Sequence, residues 1–360
     1  MDFKKLGGLN VLVTGHTGFK GSWLSIWLNY LGANVIGYSL DPPTNPNNFQ
    51  LSRLEKKIID IRGDIRDYEK LTRVIKKYKP ELIFHLAAQP IVSMSYKNPQ
   101  ETFSVNSLGT VNVLEAVRKT DHVKALVCIT SDKCYEKNGS GRRYKEDDRL
   151  GGDDPYSASK AMAELAIHSY RKSFPEFFSK TNIASARAGN VIGGGDFAPD
   201  RLIPDCVRAF SNSLPLLLRT PRSVRPWQFV LEPISGYLNL AVKLMEDKGN
   251  FSEAWNFGPT EGEVDCEEVV KRFINLWGRG TYNILSGNIN SGEKDLLKLN
   301  SNKASISLNW NPKYNLGETL RQTAEWYKKW AENRNKCGTD MYEHCINQID
   351  KYVSESKETI

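Results

Sequence analysis

Asn10-Val11-Leu12-Val13-Thr14-Gly15-His16-Thr17-Gly18-Phe19-Lys20-Gly21-Ser22-Trp23-Leu24 runs from a short apolar strand, through a glycine-spaced turn, into an apolar helix. Val11-Leu12-Val13 has the continuous apolar character of a strand covered on both faces. Gly15, Gly18 and Gly21 then recur every third residue. Glycine at such positions permits a tight turn and lets the backbone approach a pyrophosphate, while the following helix, Ser22 to Leu31, offers the partial positive charge of its N-terminus. A GxxGxxG run alone is weak; directly after a first strand it reads as a dinucleotide turn. Gly15, Thr17, Gly18, Phe19 and Gly21 are therefore expected to bind the cofactor. Lys20 is placed either to meet a phosphate or to face solvent.

Outward from this turn, short apolar runs alternate with amphipathic stretches up to about Ile129. Val35-Ile36-Gly37-Tyr38, Leu82-Ile83-Phe84-His85-Leu86 and Ala125-Leu126-Val127-Cys128-Ile129 read as buried parallel strands, with a further strand over Asn182 to Arg187. The fold class is α/β, a doubly wound parallel (Rossmann) sheet. Beyond about residue 196 Pro, Arg and Trp become frequent and the alternation is lost. We expect a cofactor domain over 1–195 that carries the catalytic residues. A smaller, interleaved substrate lobe is expected over 196–360, with amphipathic helices at Val264 to Trp277 and Leu316 to Trp330. The last ~25 residues are polar and are expected to be a surface helix or a frayed tail. Val105, Leu108, Val111 and Leu114 form a three-residue stripe after Pro99, read as core or, second, as a dimer seam.

Composition narrows the function classes. In 360 residues, 40% are hydrophobic, the mean hydropathy is −0.48, and no apolar run approaches the ~18 residues that would span a bilayer. The N-terminus enters the first strand directly, which leaves no room for a signal peptide. Cys128, Cys134, Cys206, Cys266, Cys337 and Cys345 lack CxxC spacing and read as reduced thiols of a cytoplasmic protein. Net charge is +7, but Lys and Arg are dispersed rather than striped with aromatics, which argues against nucleic acid and suits a small anionic substrate. His16 and His85 have no metal-ligand spacing.

The acidic residue that holds the adenosine ribose belongs ~20 residues past the glycines. By register Ser39 takes that position and Asp41 arrives two residues late; no arginine follows immediately to receive a 2′-phosphate, which favours NAD over NADP. Gly63-Asp64-Ile65 places Asp64 and Ile65 either beside the adenine or in an ordinary turn. In Pro155-Tyr156-Ser157-Ala158-Ser159-Lys160, a tyrosine and a lysine four residues apart share one helix face. A free phenol, with pKa ~10, is a poor base at neutral pH; an ammonium one turn away and a positive nicotinamide favour the phenolate. Ser131-Asp132-Lys133, at a strand's carboxyl end, points to a second reaction beyond oxidation.

In this order and spacing, these segments resemble the extended short-chain dehydrogenase/reductase superfamily in its sugar-nucleotide branch. The resemblance also rests on His85-Leu86-Ala87-Ala88-Gln89, Asn106, Arg187 to Asn190, Arg225-Pro226-Trp227 and Asn256-Phe257-Gly258. The turn Gly15 to Trp23, and lysine directly after Asp132, look like the CDP-glucose 4,6-dehydratase family; the dTDP-glucose and GDP-mannose dehydratases carry glutamate there. The resemblance implies that Tyr156 takes the 4-hydroxyl proton, supported by Lys160 and Ser131. Asp132 protonates the leaving 6-hydroxyl, and Lys133 takes the C5 proton, which it does only when neutral. It implies that Leu86, Ala87 and Ala88 line the cofactor, and that Gln89, Asn106, Asn190, Arg219 and Arg225 meet the substrate. Partners are a nucleotide sugar and a second copy of the chain, as a homodimer or dimer of dimers, with no nucleic acid, membrane or metal. Another dehydratase, or a 4-epimerase, is the nearest alternative, although epimerisation needs no acid-base pair at C5 and C6. A non-catalytic dinucleotide sensor would be expected to lose Tyr156 or Lys160.

Overall fold

Seven short segments pair side by side: β1 (Asn10–Thr14), β2 (Asn34–Ser39), β3 (Ile59–Arg62), β4 (Leu82–His85), β5 (Ala125–Ile129), β6 (Asn182–Ala188) and β7 (Ala254–Phe257). Their spatial order is β3-β2-β1-β4-β5-β6-β7 and every pairing is parallel. This computed structural model describes residues 2–137, 139, 141–178, 180–246, 249–260, 263–285, 297–333 and 340–355. Alternate residues of β1 feed opposite faces. Val11 and Val13 join one core with Trp23, Trp27, Phe229 and Trp326; Leu12 joins the other with Ile75, Val113 and Ile167. That two-sided burial is why β4 and β5 read as unbroken apolar runs.

The chain runs from β1 out to β2 and β3, then returns to lay β4 against the other side of β1, with Thr14 opposite His85. Reversal of strand order there opens a crevice at the carboxyl ends, where such sheets bind ligands. Helices α1 (Phe19–Tyr30), α2 (Tyr68–Tyr78), α3 (Gly109–Arg118) and α4 (Pro155–Ser173) cover the sheet together with α5 (Leu231–Glu246), α6 (Leu316–Asn333) and α7 (Tyr342–Ser354).

Several elements differ from the sequence expectation. Strand alternation does not end at residue 196, because α5 and β7 return the chain to the sheet beside β6. α5 is buried almost all round, so it shows no amphipathic stripe. β3 (Ile-Asp-Ile-Arg) and β7 (Ala-Trp-Asn-Phe) are too short and too polar to stand out. The apolar stripe is not one face: Ser104–Leu108 forms a π-turn, which rotates the residues beyond it. Leu108 is consequently 59% exposed while Leu114 is fully buried. α7 is no frayed tail, since Tyr342, Cys345, Ile346, Ile349 and Tyr352 are all buried. The five described cysteines are buried thiols outside any disulfide among the described residues; Cys337 lies outside the described residues.

Candidate active site

The glycine turn closes over the β1–β4 switch point. Gly15 adopts φ +76°, and a side chain there would press on the Ala87 backbone at 2.7 Å. At Gly21 a Cβ would lie 2.0 Å from the Gly15 carbonyl, so helix and turn meet only because that position is glycine. Thr17 Oγ1 donates to the Leu40 carbonyl (3.0 Å) and shares a hydrogen bond with Ser39 Oγ (2.9 Å), which ties the turn to the end of β2. One cleft is lined by Gly15, Thr17, Gly18, Phe19 and Gly21, by Ser39 and Asp41, by Asp64 and Ile65, by Leu86, Ala87 and Ala88, and by Tyr156 and Lys160. An elongated dinucleotide fits this cradle, because one cleft takes in the glycine turn, the end of β2 at Ser39 and Asp41, and Tyr156 and Lys160.

At the β2 end the fold adds an arginine that adjacency in sequence did not reveal. Arg62, from β3, bonds Asp60 (2.8 Å) and the Leu40 carbonyl (3.2 Å) and lies 3.5 Å from Asp41. Its charge is met by two carboxylates already, in keeping with a ribose rather than a 2′-phosphate beside Ser39. Asp64 is gripped by Arg66, whose hydrogen bonds hold the carboxyl below its usual range. His16 bonds Asp60 at 2.8 Å. His85 sits between Thr14 (2.8 Å) and Thr110 (3.1 Å), where burial pushes it down to about 3.

The candidate reacting groups come from the ends of β5 and α4. Asp154 caps α4 by accepting from Ser157 N (2.9 Å), and Pro155 occupies the first turn. That start aims Tyr156 and Lys160 into the cleft, 8% and 6% exposed. Ser131 Oγ donates to Asp132 Oδ1 at 3.0 Å, and Ser131 acts to lower the Tyr156 phenol's pKa. Asp132 is itself buried; a side chain at Gly189 would come within 2.9 Å of its Oδ2. Lys133 shares the 3-10 turn Asp132–Cys134, half-buried, its backbone N–H donating to Ser131 Oγ (3.2 Å).

The protein's own electrostatics act on both groups. Burial pushes the Tyr156 phenol up to about 12, opposed by the Ser131 hydrogen bond and the Arg201 guanidinium and reinforced by Asp132. Within the protein alone, loss of hydration outweighs the neighbouring positive charge. Burial also pulls Lys160 down to about 8, with Glu164 the largest opposing influence. Lys20 lies in the same cleft and is likewise brought to about 8, first by burial and then by Lys160 and Arg201.

Arg201 was not singled out in the sequence. It lines the cleft and is held by Asp196 at 2.7 Å; the only local signal was the glycine-rich loop that precedes it. The five substrate positions do not line the cleft. Asn106 is used inside the fold, clamping the Gln89 backbone (2.8 and 3.1 Å) and Ser159 Oγ (2.9 Å). Gln89 bonds Thr102 (3.0 Å) and Ile91 N (2.6 Å). These side chains order the loop after β4, because buried amides must find partners. Asn190 follows β6, its carbonyl accepting from Gln228 N (3.2 Å). Arg219 pairs with Asp200 (2.6 Å) and Asp205 (3.3 Å). Arg225 stands on the short strand Val224–Pro226, opposite Val264. Among the described residues no helix is long and apolar enough to cross a membrane.

A family model described as GDP-mannose 4,6 dehydratase matches residues 12–323. A CDP-glucose 4,6-dehydratase of Salmonella typhimurium is 47% identical over 352 residues, covering 96% of this chain and 97% of that protein. Among solved structures, the dTDP-glucose 4,6-dehydratase of Bacillus anthracis in complex with NAD aligns with TM-score 0.73 and 27% identity, over 89% of this chain and 97% of that one. The UDP-glucose 4-epimerase of Thermus thermophilus, also in complex with NAD, aligns with TM-score 0.76 and 26% identity, over 89% and 99%. With a parallel sheet of this order, a glycine cradle at its switch point and these matches along most of its length, the chain belongs to the GDP-mannose 4,6 dehydratase family.

Proposed function

We propose that the protein converts CDP-D-glucose into its 4-keto-6-deoxy sugar nucleotide and water, as a hydro-lyase that uses and regenerates NAD. The single observation that carries the dehydratase reading is buried Asp132, bonded by Ser131 Oγ and close enough to buried Tyr156 to push its phenol up, which puts an acid next to an oxidation centre. An epimerase needs no such acid. The nucleotide base is argued from the 47% identical relative and from lysine at position 133.

When bound, NAD supplies the hydride acceptor at C4 and the donor at C6. Gly15, Thr17, Gly18, Phe19 and Gly21 hold its pyrophosphate, Ser39, Asp41, Asp64 and Ile65 its adenosine half, and Leu86 to Ala88 its other wall. Tyr156, as phenolate, takes the proton of the 4-hydroxyl, and Ser131 hydrogen-bonds the 4-oxygen. Lys160 supports the phenolate. The 4-ketone acidifies the C5 proton, which neutral Lys133 removes; protonated Asp132 gives its proton to the departing 6-hydroxyl, which leaves as water. Lys133 then returns a proton to C5 as C6 is reduced, and Asp132 is reprotonated from the proton released at O4.

Residues 196–360 form mainly the substrate lobe in this reading, with Arg201, Arg219 and Arg225 as its candidate anion contacts and Asn190, just before it, as a polar one. The protein works in the cytoplasm as a two-fold assembly that buries exposed Leu108 with Met162 and Leu165 of α4. The decisive test is a panel of CDP-, dTDP- and UDP-glucose and GDP-mannose, assayed for base-labile 4-keto product. With CDP-glucose deuterated at C4, the label is expected at C6 with no net consumption of NAD. Stoichiometric NADH with no label at C6 would reduce the reading to a simple dehydrogenase.

A further inference from the structure

Behind Lys160, away from the cleft, a buried ion pair has no part in the chemistry above. Glu164 follows Lys160 by one turn of α4, and Arg187 stands on β6. Their side chains are 1% and 4% exposed and meet through two bonds, Nη2 to Oε2 at 2.8 Å and Nε to Oε1 at 3.0 Å. Two more donors reach the carboxylate: Thr130 Oγ1 bonds Oε1, and Ser185 Oγ bonds Oε2 at 2.7 Å. Thr130 immediately precedes Ser131 and lines the cleft. Arg187 is fixed in turn, donating to the Tyr135 hydroxyl (2.7 Å) and the Glu146 carbonyl (3.0 Å), with its guanidinium over the Tyr135 ring.

Stability is a poor reason to bury such a pair. Replacing a buried ion pair by apolar groups is often neutral or stabilising, because desolvation offsets the attraction. The charge is instead placed to act on a neighbour. The groups that influence Lys160 electrostatically include Lys20 from α1, His85 from β4, Cys128 from β5, Cys134 from the turn after it, and Glu164, while Asp132 acts on its neighbours Lys20 and Tyr156. Lys20 is a competing cation. Burial holds His85 neutral and pushes both thiols up, so they carry no charge at neutral pH. That leaves Glu164 as the anion in this set. Burial pushes its carboxyl up, but Arg187 and the two hydroxyls outweigh this and hold it below the usual range.

We infer that Glu164, kept ionised by Arg187, Thr130 and Ser185, is a positioning residue that, one turn along α4, holds Lys160 charged beside Tyr156. This rests on the proposed roles of Tyr156 and Lys160. The test is the pH dependence of kcat/KM for 4-keto product, whose alkaline limb reports loss of the Lys160 proton. NAD affinity and the unfolding midpoint are measured in parallel.

Glu164→Gln removes the anion and leaves Arg187 unpaired, so the alkaline limb moves down by ~1 pH unit or more, about a tenfold loss of rate on that limb. Arg187→Met removes the cation that keeps Glu164 ionised, so the limb moves down in this variant as well. Glu164→Gln/Arg187→Met, with no buried charge, falls between Glu164→Gln and wild type and carries the test if Glu164→Gln does not fold. Glu164→Asp returns the limb towards wild type. Folded, NAD-binding variants whose limb stays put, or moves up in Glu164→Gln, overturn the inference and leave a structural ion pair. Wild-type enzyme that makes no 4-keto product, or Tyr156→Phe that keeps its rate, fails the parent reading instead.

Discussion

At the scale of single residues, the two halves of the proposed reaction are separable at Lys133. In Lys133→Met the groups assigned to oxidation, Ser131, Tyr156 and Lys160, are untouched. Oxidation at C4 is therefore expected to proceed once, after which reduced cofactor accumulates on the enzyme and C5 exchange with solvent deuterium is lost. Product formation is expected to fall ~10²–10⁴-fold, the usual scale for one acid-base group. Near wild-type dehydration in that variant would make Lys133 a bystander. Its neighbour Asp132 shows how little room the centre has, since even a methyl group at position 189 would reach its carboxylate.

At the scale of elements, the β1–α1 junction closes backbone on backbone. Gly21→Ala puts a Cβ 2.0 Å from the Gly15 carbonyl, a backbone atom that moves only if α1 lifts from the turn. We expect ~1–3 kcal/mol of lost stability together with weakened NAD binding, measured by urea unfolding and by nicotinamide titration. Gly18→Ala meets only an ordinary contact at 3.4 Å and is expected to keep stability while losing cofactor affinity, because its methyl group faces the cleft. Equal stability loss at both sites would contradict this packing. The π-turn at Ser104–Leu108 belongs to the same scale. It turns Leu108 outward while Asn106, two residues earlier, stays buried and clamps the β4 loop.

At the scale of the whole molecule, α7 closes the fold through one buried carboxyl. Glu232 on α5 accepts from the Tyr352 hydroxyl (2.6 Å) and from the backbone N–H groups of Lys313 (2.9 Å) and Tyr314 (2.7 Å). Burial nevertheless pushes it up to about 7. An acid raised on folding favours the neutral form, so its contribution is full below pH 4.5 and is lost as pH rises through 7, on the order of 3 kcal/mol. Glu232→Gln is therefore expected to match wild type near pH 5 and to melt higher than wild type at pH 8; an unchanged pH dependence of melting would remove Glu232 as the cause. The proposed two-fold assembly is tested by sedimentation of Leu165→Glu, which puts a charge on a leucine that is 56% exposed on the Tyr156-bearing helix. Dissociation is expected, and an unaltered oligomer would place the interface elsewhere.

What the sequence determined by itself is what lies within a few residues along the chain. Glycine spacing sets which backbone turn is sterically open, an apolar run sets a strand covered on both faces, and four-residue spacing sets which side chains share a helix face. The first parallel strands, the glycine turn and the Tyr156–Lys160 pair were legible for those reasons. Tertiary structure alone decided where polar side chains of distant segments meet. It brought β7 back beside β6, set Arg201 in the cleft, turned Gln89 and Asn106 inward, docked α7 through Tyr352, and joined Glu164 to Arg187 beneath Lys160. It also decided the acidity of Tyr156 and Lys160, because hydration is lost only when the whole fold closes, and that loss is the largest influence on both.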